Sequence, residues 1–304
     1  MSERSKNINI RIGTLVQAGK GNDPANYIRQ ILPYGFESFS LTFWKTVGDI
    51  NLKQMAEEVN EVIADSNAVI SSLGIYGNPL EEELADLETQ KGWEELIDHV
   101  RLFNADIVAG FTGRIRGEPI DKSLPRYKEV FEPLAKRAQD KGVRLAFENC
   151  DMGGTWESGD FNIAHNPTAW EMMFDILPMD NIGLEWEPCH QMTSLIHPIP
   201  QLRKWVDKVF HVHGKDATIA WDIIEEYGIH GPKEFVWHRT PGFGDSNWAD
   251  IITILRQANY KGTIDIEGFH DPVYRNELEM TGQVQGLNYL KKCRGGDFVP
   301  NPES

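Results

Sequence analysis

One repeated unit governs what this chain can fold into: a short run of β-branched and apolar residues, a polar loop, then a helical pattern. Eight strand-like runs recur, at residues 7–15, 35–43, 68–77, 105–113, 143–150, 182–190, 209–216 and 263–271. Between them, DPANYIRQIL, LKQMAEEVNEVIADS, WEELIDHVRLFN, YKEVFEPLAKRAQDKG and NWADIITILRQANYKG carry apolar residues at three- and four-residue spacing, which predicts helices. Asp23-Pro24 opens the first as an N-cap and first-turn proline. Two others close in Lys-Gly immediately before a strand. Strands alternating with helices imply parallel strands and right-handed crossovers. Eight such units match a closed (β/α)8 TIM barrel, an α/β fold that typically takes ~250 residues. Residues 1–304 are therefore expected to form a single barrel domain, with the surplus in an inserted loop after strand seven, about 217–246. The alternative is a doubly wound open sheet, but no run is followed by a GxGxxG phosphate loop.

Charge narrows the partners. The formal net charge is −16, a field that repels phosphate backbones and anionic lipid, so neither nucleic acid nor a membrane surface is expected. No apolar run approaches the roughly 18 residues of a membrane span, and the N-terminus has no signal-peptide core. Three cysteines, Cys150, Cys189 and Cys293, without CxxC spacing, suit a reduced, cytoplasmic protein.

Strand ends carry the candidate chemistry. Side chains two apart in a strand share a face. Glu148 ends the fifth run; Glu185 and Glu187 share a face in the sixth; His211, His213 and Lys215 in the seventh; Asp265 and Glu267 in the eighth. In a barrel, the C-terminal rim is where active sites are built. Adjacent strands lie ~4.8 Å apart, so groups from four successive strands converge there. Three carboxylates meeting without a cation would repel and shift their pKa values upward. A divalent ion removes that conflict, and an oxygen-rich set with one imidazole favours Mn²⁺, with Mg²⁺, Co²⁺ or Zn²⁺ as alternatives. Taken singly, a strand-end Glu is ordinarily a solvated or capping group, and a lone His a structural one. Four together are harder to explain that way. Thiolate ligation by Cys150 or Cys189 is allowed by parity, but both lie beyond the carboxylates toward the loops.

The Glu-Asn ending of LAFEN, the segments IGLEWEPCH and HVHGKD, and PGFGDSNW followed by IDIEG resemble the xylose isomerase-like TIM-barrel superfamily of sugar isomerases and epimerases. The resemblance spans roughly residues 7 to 290. It implies a single-metal site with Glu148, Glu187, His213 and Glu267 as ligands, and His190 as a substrate contact. Glu187 stands where the family usually has Asp, so Glu185 stays open as the ligand. No His lies between Met1 and Asp98, which departs from the multi-zinc endonuclease branch of that superfamily.

The implied activity is a metal-dependent sugar isomerase or epimerase. A proton leaves the carbon next to the carbonyl of a keto-sugar, the ion stabilises the enediolate, and Glu148 and Glu267 serve as base and acid. Arg239, Lys215 and Trp186 are the further substrate-contact candidates, and Lys215 with Asp216 reads as an orienting ion pair. An alternative is a lyase that uses the same enolate to expel the aglycone of a 3-keto-(C-)glycoside. The resemblance extends to the C-glycoside deglycosidase α subunits, which work with a small β-rich partner. Trp221, Tyr227, Phe235, Trp237 and Phe243 in the insertion, with Trp44 and Trp156 near strand ends, would suit such an aglycone. A non-catalytic binding barrel is a third reading. A homo-oligomer is also expected.

Overall fold

The computed structural model describes residues 9–268 and 270–302. Among the described residues there are ten strands: β1 (Arg11–Gln17), β2 (Ser38–Trp44), β3 (Val69–Tyr76), β4 (Ile107–Gly110), β5 (Arg144–Glu148), β6 (Ile182–Trp186), β7 (Val209–Gly214), β8 (Asp216–Ile219), β9 (Val236–Arg239) and β10 (Thr263–Ile266). Eight of them close a barrel in the order β1-β10-β7-β6-β5-β4-β3-β2, every pair parallel. Closure comes where β1 meets β10, Arg11 opposite Thr263. The expected barrel is observed. Asn7 and Ile8 of the first run, and Phe269 of the last, lie outside the described residues.

Among the described residues, ten α-helices lie between or after the strands: α1 (Pro24–Ile31), α2 (Leu52–Ile63), α3 (Leu84–His99), α4 (Ile120–Asp140), α5 (Pro167–Ile176), α6 (Cys189–Thr193), α7 (Pro198–Trp205), α8 (Trp221–Tyr227), α9 (Trp248–Gln257) and α10 (Glu279–Cys293). Their starts follow local chemistry. Side chains of Asp23, Asn51, Asn166 and Asn247 accept backbone N–H groups at the starts of α1, α2, α5 and α9. Glu83 and Asp86 form a capping box on α3. Of the two Lys-Gly endings, the first stops as expected, with Gly142 at φ +64°. In the second, Asn259 takes the left-handed position at φ +58°.

Two expectations need correction. The sixth run was read as a strand through His190, but β6 ends at Trp186 and the chain turns at Pro188 into α6. Glu187 therefore lies beyond the strand. The insertion after β7 is not an irregular loop: β8 and β9 pair antiparallel, Asp216 opposite Arg239, with α8 between them.

Close packing inside the barrel is strict at Gly13 on β1. A methyl added there would collide with the Ser38 carbonyl oxygen and the Asp265 carboxylate. Backbone cannot yield as a flexible side-chain tip can, so Gly13→Ala should cost about 3 kcal/mol. Urea unfolding of the variant measures this; a loss under about 1 kcal/mol would show that β1 shifts freely.

Candidate active site

Three side chains at the C-terminal rim meet around one atom. His213, in β7, places Nδ1 2.9 Å from Glu148 Oε1 and 3.3 Å from Glu267 Oε2. These ligand-type atoms all lie within 4.8 Å of one another, and all three residues are buried. Backbone supports hold them there. Asn162 donates to the carbonyls of Glu148 and Cys150, both at 2.7 Å. Asn149 clamps the next strand end, accepting from Glu187 N at 2.8 Å and donating to its carbonyl at 3.0 Å.

Lys215 supplies the positive charge. Its Nζ lies 2.7 Å from Glu267 Oε1 and 3.2 Å from His190 Nε2. Burial alone would lower the Lys215 pKa, but the Glu267 carboxylate outweighs it and holds the ammonium well above its ordinary range. The expected Lys215–Asp216 ion pair does not form. Neighbours in an extended chain point to opposite sides, and Asp216 accepts instead from Ala217 N, Ser246 N and Trp248 Nε1.

Glu187 stands apart from the three. Oε1 accepts from His190 N at 2.8 Å, whereas Oε2 is buried without a hydrogen-bond partner. Burial pushes this carboxyl up to about 7. Glu185, the other candidate, points into the barrel interior, with Oε1 2.6 Å from His211 Nδ1 and Oε2 accepting from Tyr76 OH at 2.9 Å.

These groups open into a cavity of about 1320 Å³. Glu148, His213, Lys215, Glu267 and His190 line it. Arg239 and Trp186 do not. Arg239 pairs with Asp271 at 3.1 Å, and Trp186 is fully buried with Nε1 bonded to Gln191. None of the five insertion aromatics lines the cavity; Phe243, for one, stacks on Tyr274 at 4.1 Å. Among the tryptophans, Trp44 does line it and is 56% exposed. Sequence reasoning missed Tyr76, Asp151, His238 and His270, which also line the cavity. His238 comes from β9, and its ring lies 5.0 Å from that of His190. Burial, then the charges of Lys215 and His190, push His238 down to about 3.

The donor set suits a divalent cation. Two carboxylates face one imidazole nitrogen, and Glu267 Oε2 and Glu187 Oε2 are buried without hydrogen-bond partners. Such atoms ordinarily find a partner, and a hard cation held by Glu148, His213 and Glu267 would satisfy the Glu267 oxygen.

A family model described as xylose isomerase-like TIM barrel matches residues 28–293. The chain belongs to that family. Within the xylose isomerase-like fold, the apo crystal structure of 3-keto-D-glucoside 4-epimerase, YcjR, from E. coli superposes with a TM-score of 0.68 at 16% identity, covering 93% of this chain and 100% of that one. An L-ribulose 3-epimerase superposes with a TM-score of 0.66 at 14% identity, covering 94% of this chain and 93% of that one. In sequence, an inosose dehydratase of Clostridium perfringens is 23% identical over 224 residues, 67% of this chain and 71% of that protein.

Between β5 and α5, His165 is buried, and burial pushes it down to about 4. The folded state therefore favours neutral imidazole, while the unfolded chain protonates near 6.5. Stability from this residue is full above pH 6.5 and is lost as pH falls toward 4. At ~1.4 kcal/mol per unit, the loss is on the order of 3 kcal/mol. Urea midpoints at pH 7 and 4.5 should diverge less in His165→Gln than in the parent; equal divergence would refute this.

Proposed function

We propose that this chain is a divalent-metal-dependent enzyme that removes the proton next to the carbonyl of a keto-sugar, working as an isomerase or epimerase. The observation that carries this reading is the convergence of the Glu148 and Glu267 carboxylates on His213 Nδ1 at the cavity wall. The names of the structural neighbours, a 3-keto-glucoside epimerase among them, support it.

Glu148, His213 and Glu267 would hold the ion, with Glu187 Oε2 as the further buried donor. Mn²⁺ suits the oxygen-rich set best, with Mg²⁺, Co²⁺ and Zn²⁺ as alternatives. When bound, it would supply Lewis-acid polarisation of the sugar oxygens. Glu148 and Glu267 are the proton acceptor and donor on the carbon next to the carbonyl. Lys215 and His190 face the same cavity and present donors to the sugar oxygens, offsetting negative charge as it develops. Glu187→Ala is expected to weaken Mn²⁺ binding by about tenfold or more. Unchanged bound Mn²⁺ at equal protein concentration would remove Glu187 from the ligand set.

A second reading is favoured by cavity size. At about 1320 Å³ it exceeds the roughly 300–1,000 Å³ of ordinary ligand pockets. Half-exposed Trp44 and Tyr27 line it, offering apolar faces to a second ring. The same carbanion would then expel the aglycone from the neighbouring carbon, a lyase reaction on a 3-keto-(C-)glycoside, with His190 protonating the departing aglycone. The inosose dehydratase relative, whose name denotes an elimination, supports this. A small β-rich partner subunit belongs to this reading, and a homo-oligomer to either. The chain's acidic charge keeps nucleic acid outside both, and among the described residues no helix is long and apolar enough to cross a membrane.

Incubation in D₂O with Mn²⁺ and a panel of ketoses and 3-keto-glycosides tests the two. Deuterium in intact or rearranged sugar supports epimerase or isomerase chemistry. Release of the aglycone supports elimination. Neither, from fully Mn²⁺-loaded protein in a panel that includes inosose, would sink the keto-sugar reading.

A further inference from the structure

Barrel interiors are ordinarily packed with branched aliphatic side chains. Beneath the Glu148–His213–Glu267 set, this one holds ions. Glu185 on β6, His211 on β7 and Asp265 on β10 are all fully buried. His211 Nδ1 is 2.6 Å from Glu185 Oε1, and its Nε2 is 2.6 Å from Asp265 Oδ2. The hydroxyls of Ser38 and Thr263 donate to Asp265, and Tyr76 OH donates to the far oxygen of Glu185. Burying two carboxylates costs several kcal/mol, and replacing such a network by apolar side chains is often neutral for stability. A role other than holding the fold is therefore to be sought.

The role is visible at the upper end. Glu185 Oε1 lies 3.1 Å from His213 Nε2, a separation that a hydrogen bond spans once the ring turns into line, since Nε2 has no bonded partner as it stands. The opposite nitrogen, Nδ1, faces Glu148 and Glu267. A histidine whose one nitrogen is held by a carboxylate presents the lone pair of the other in a fixed direction. We propose that Asp265–His211–Glu185 is a buried positioning chain: it holds the His213 Nε2–H and so keeps Nδ1 as the cation's ligand. This rests on the metal reading above. Glu185 then acts through His213 and does not ligate. His211 cannot join a metal set without leaving a carboxylate, because both its nitrogens are already engaged.

The test uses the full chain and Mn²⁺ alone, with free ion read by electron paramagnetic resonance. Glu185→Gln should keep one ion per chain and bind it about 10–100-fold more weakly. Asp265→Asn, two links from His213, should weaken binding in the same direction by a smaller factor. In Zn²⁺-loaded protein, long-range ¹H–¹⁵N spectra should show His213 carrying its proton on Nε2. A folded Glu185→Gln protein with unchanged Mn²⁺ affinity overturns the proposal. So does a second ion in the parent that Glu185→Gln loses, since Glu185 would then be a ligand. If Glu185→Gln fails to fold, Asp265→Asn and the tautomer still decide. A parent chain that binds no divalent ion refutes the metal reading itself, whereas normal parental binding with indifferent variants refutes the positioning chain only.

Discussion

Replacing Glu148 by glutamine should leave the barrel folded and cut turnover by about 10³-fold. The support for this residue is on its backbone, where Asn162 holds the carbonyl, so an isosteric side chain keeps that bond. What disappears is the carboxylate that faces His213 Nδ1 at 2.9 Å and with it the proton acceptor of the proposed reaction. Deuterium exchange into substrate should fall in step with turnover, while the melting temperature stays within a few degrees of the parent. A barrel that only binds sugar would be indifferent to this change, so full exchange in Glu148→Gln would remove the residue from the chemistry.

Arg114→Leu should have the largest effect on stability, about 4 kcal/mol. This arginine is fully buried. Nε and Nη2 donate to the Glu118 carbonyl at 2.9 and 2.7 Å, Nη1 to Thr155 O at 2.6 Å, and Nη2 to Trp156 O at 2.9 Å. The guanidinium thereby ties the segment after β4 to the segment after β5. Leucine would leave the Glu118 and Thr155 carbonyls without these donors, at roughly 1–3 kcal/mol each where no water reaches them, while Trp156 O keeps its bond from Ile120 N. Lysine cannot restore the planar fork. Denaturant unfolding of both variants measures this, and a loss below about 1 kcal/mol in Arg114→Leu would show that water substitutes for the fork. Asp151, Met152 and Gly153 belong to the tied segment and line the cavity, so KM should rise along with the loss of stability.

The barrel was legible because its strands and half of its helices announce themselves through apolar spacing. Where that signal fails, a physical cause is visible. The first half of α3 and all of α10 went unread because they bury Thr89 and Gly92, or Gly282, Gln283 and Gly286, in place of a regular apolar stripe. In the site, Glu148 and His213 could be read as strand-end groups from alternation alone, and Glu267 because the ladder to β7 runs one residue past β10, with Glu267 N donating to Gly214 O at 3.1 Å. Glu187 could not, because alternation stops at Trp186, where β6 ends. Equal parity with Glu185 therefore said nothing about where Glu187 points. Arg239 drew attention as a cation near the rim, but a neighbouring acid in space, Asp271, is invisible to sequence spacing. His238 was missed for the same reason: only the folded ribbon brings it against His190.

That ribbon has its own hydrogen-bonded ladder, separate from the barrel sheet, yet it lends His238 to the cavity wall. Glu148 and His213 sit on barrel strands, with Glu267 one residue past β10. The hairpin and the C-terminal rim of the barrel are thus structurally separable. A lineage could lengthen, shorten or exchange the hairpin, and so change which sugar is admitted, with no barrel strand shifting register. If the proposed proton transfer holds, descendants of this scaffold would then differ first in diet and only later in chemistry.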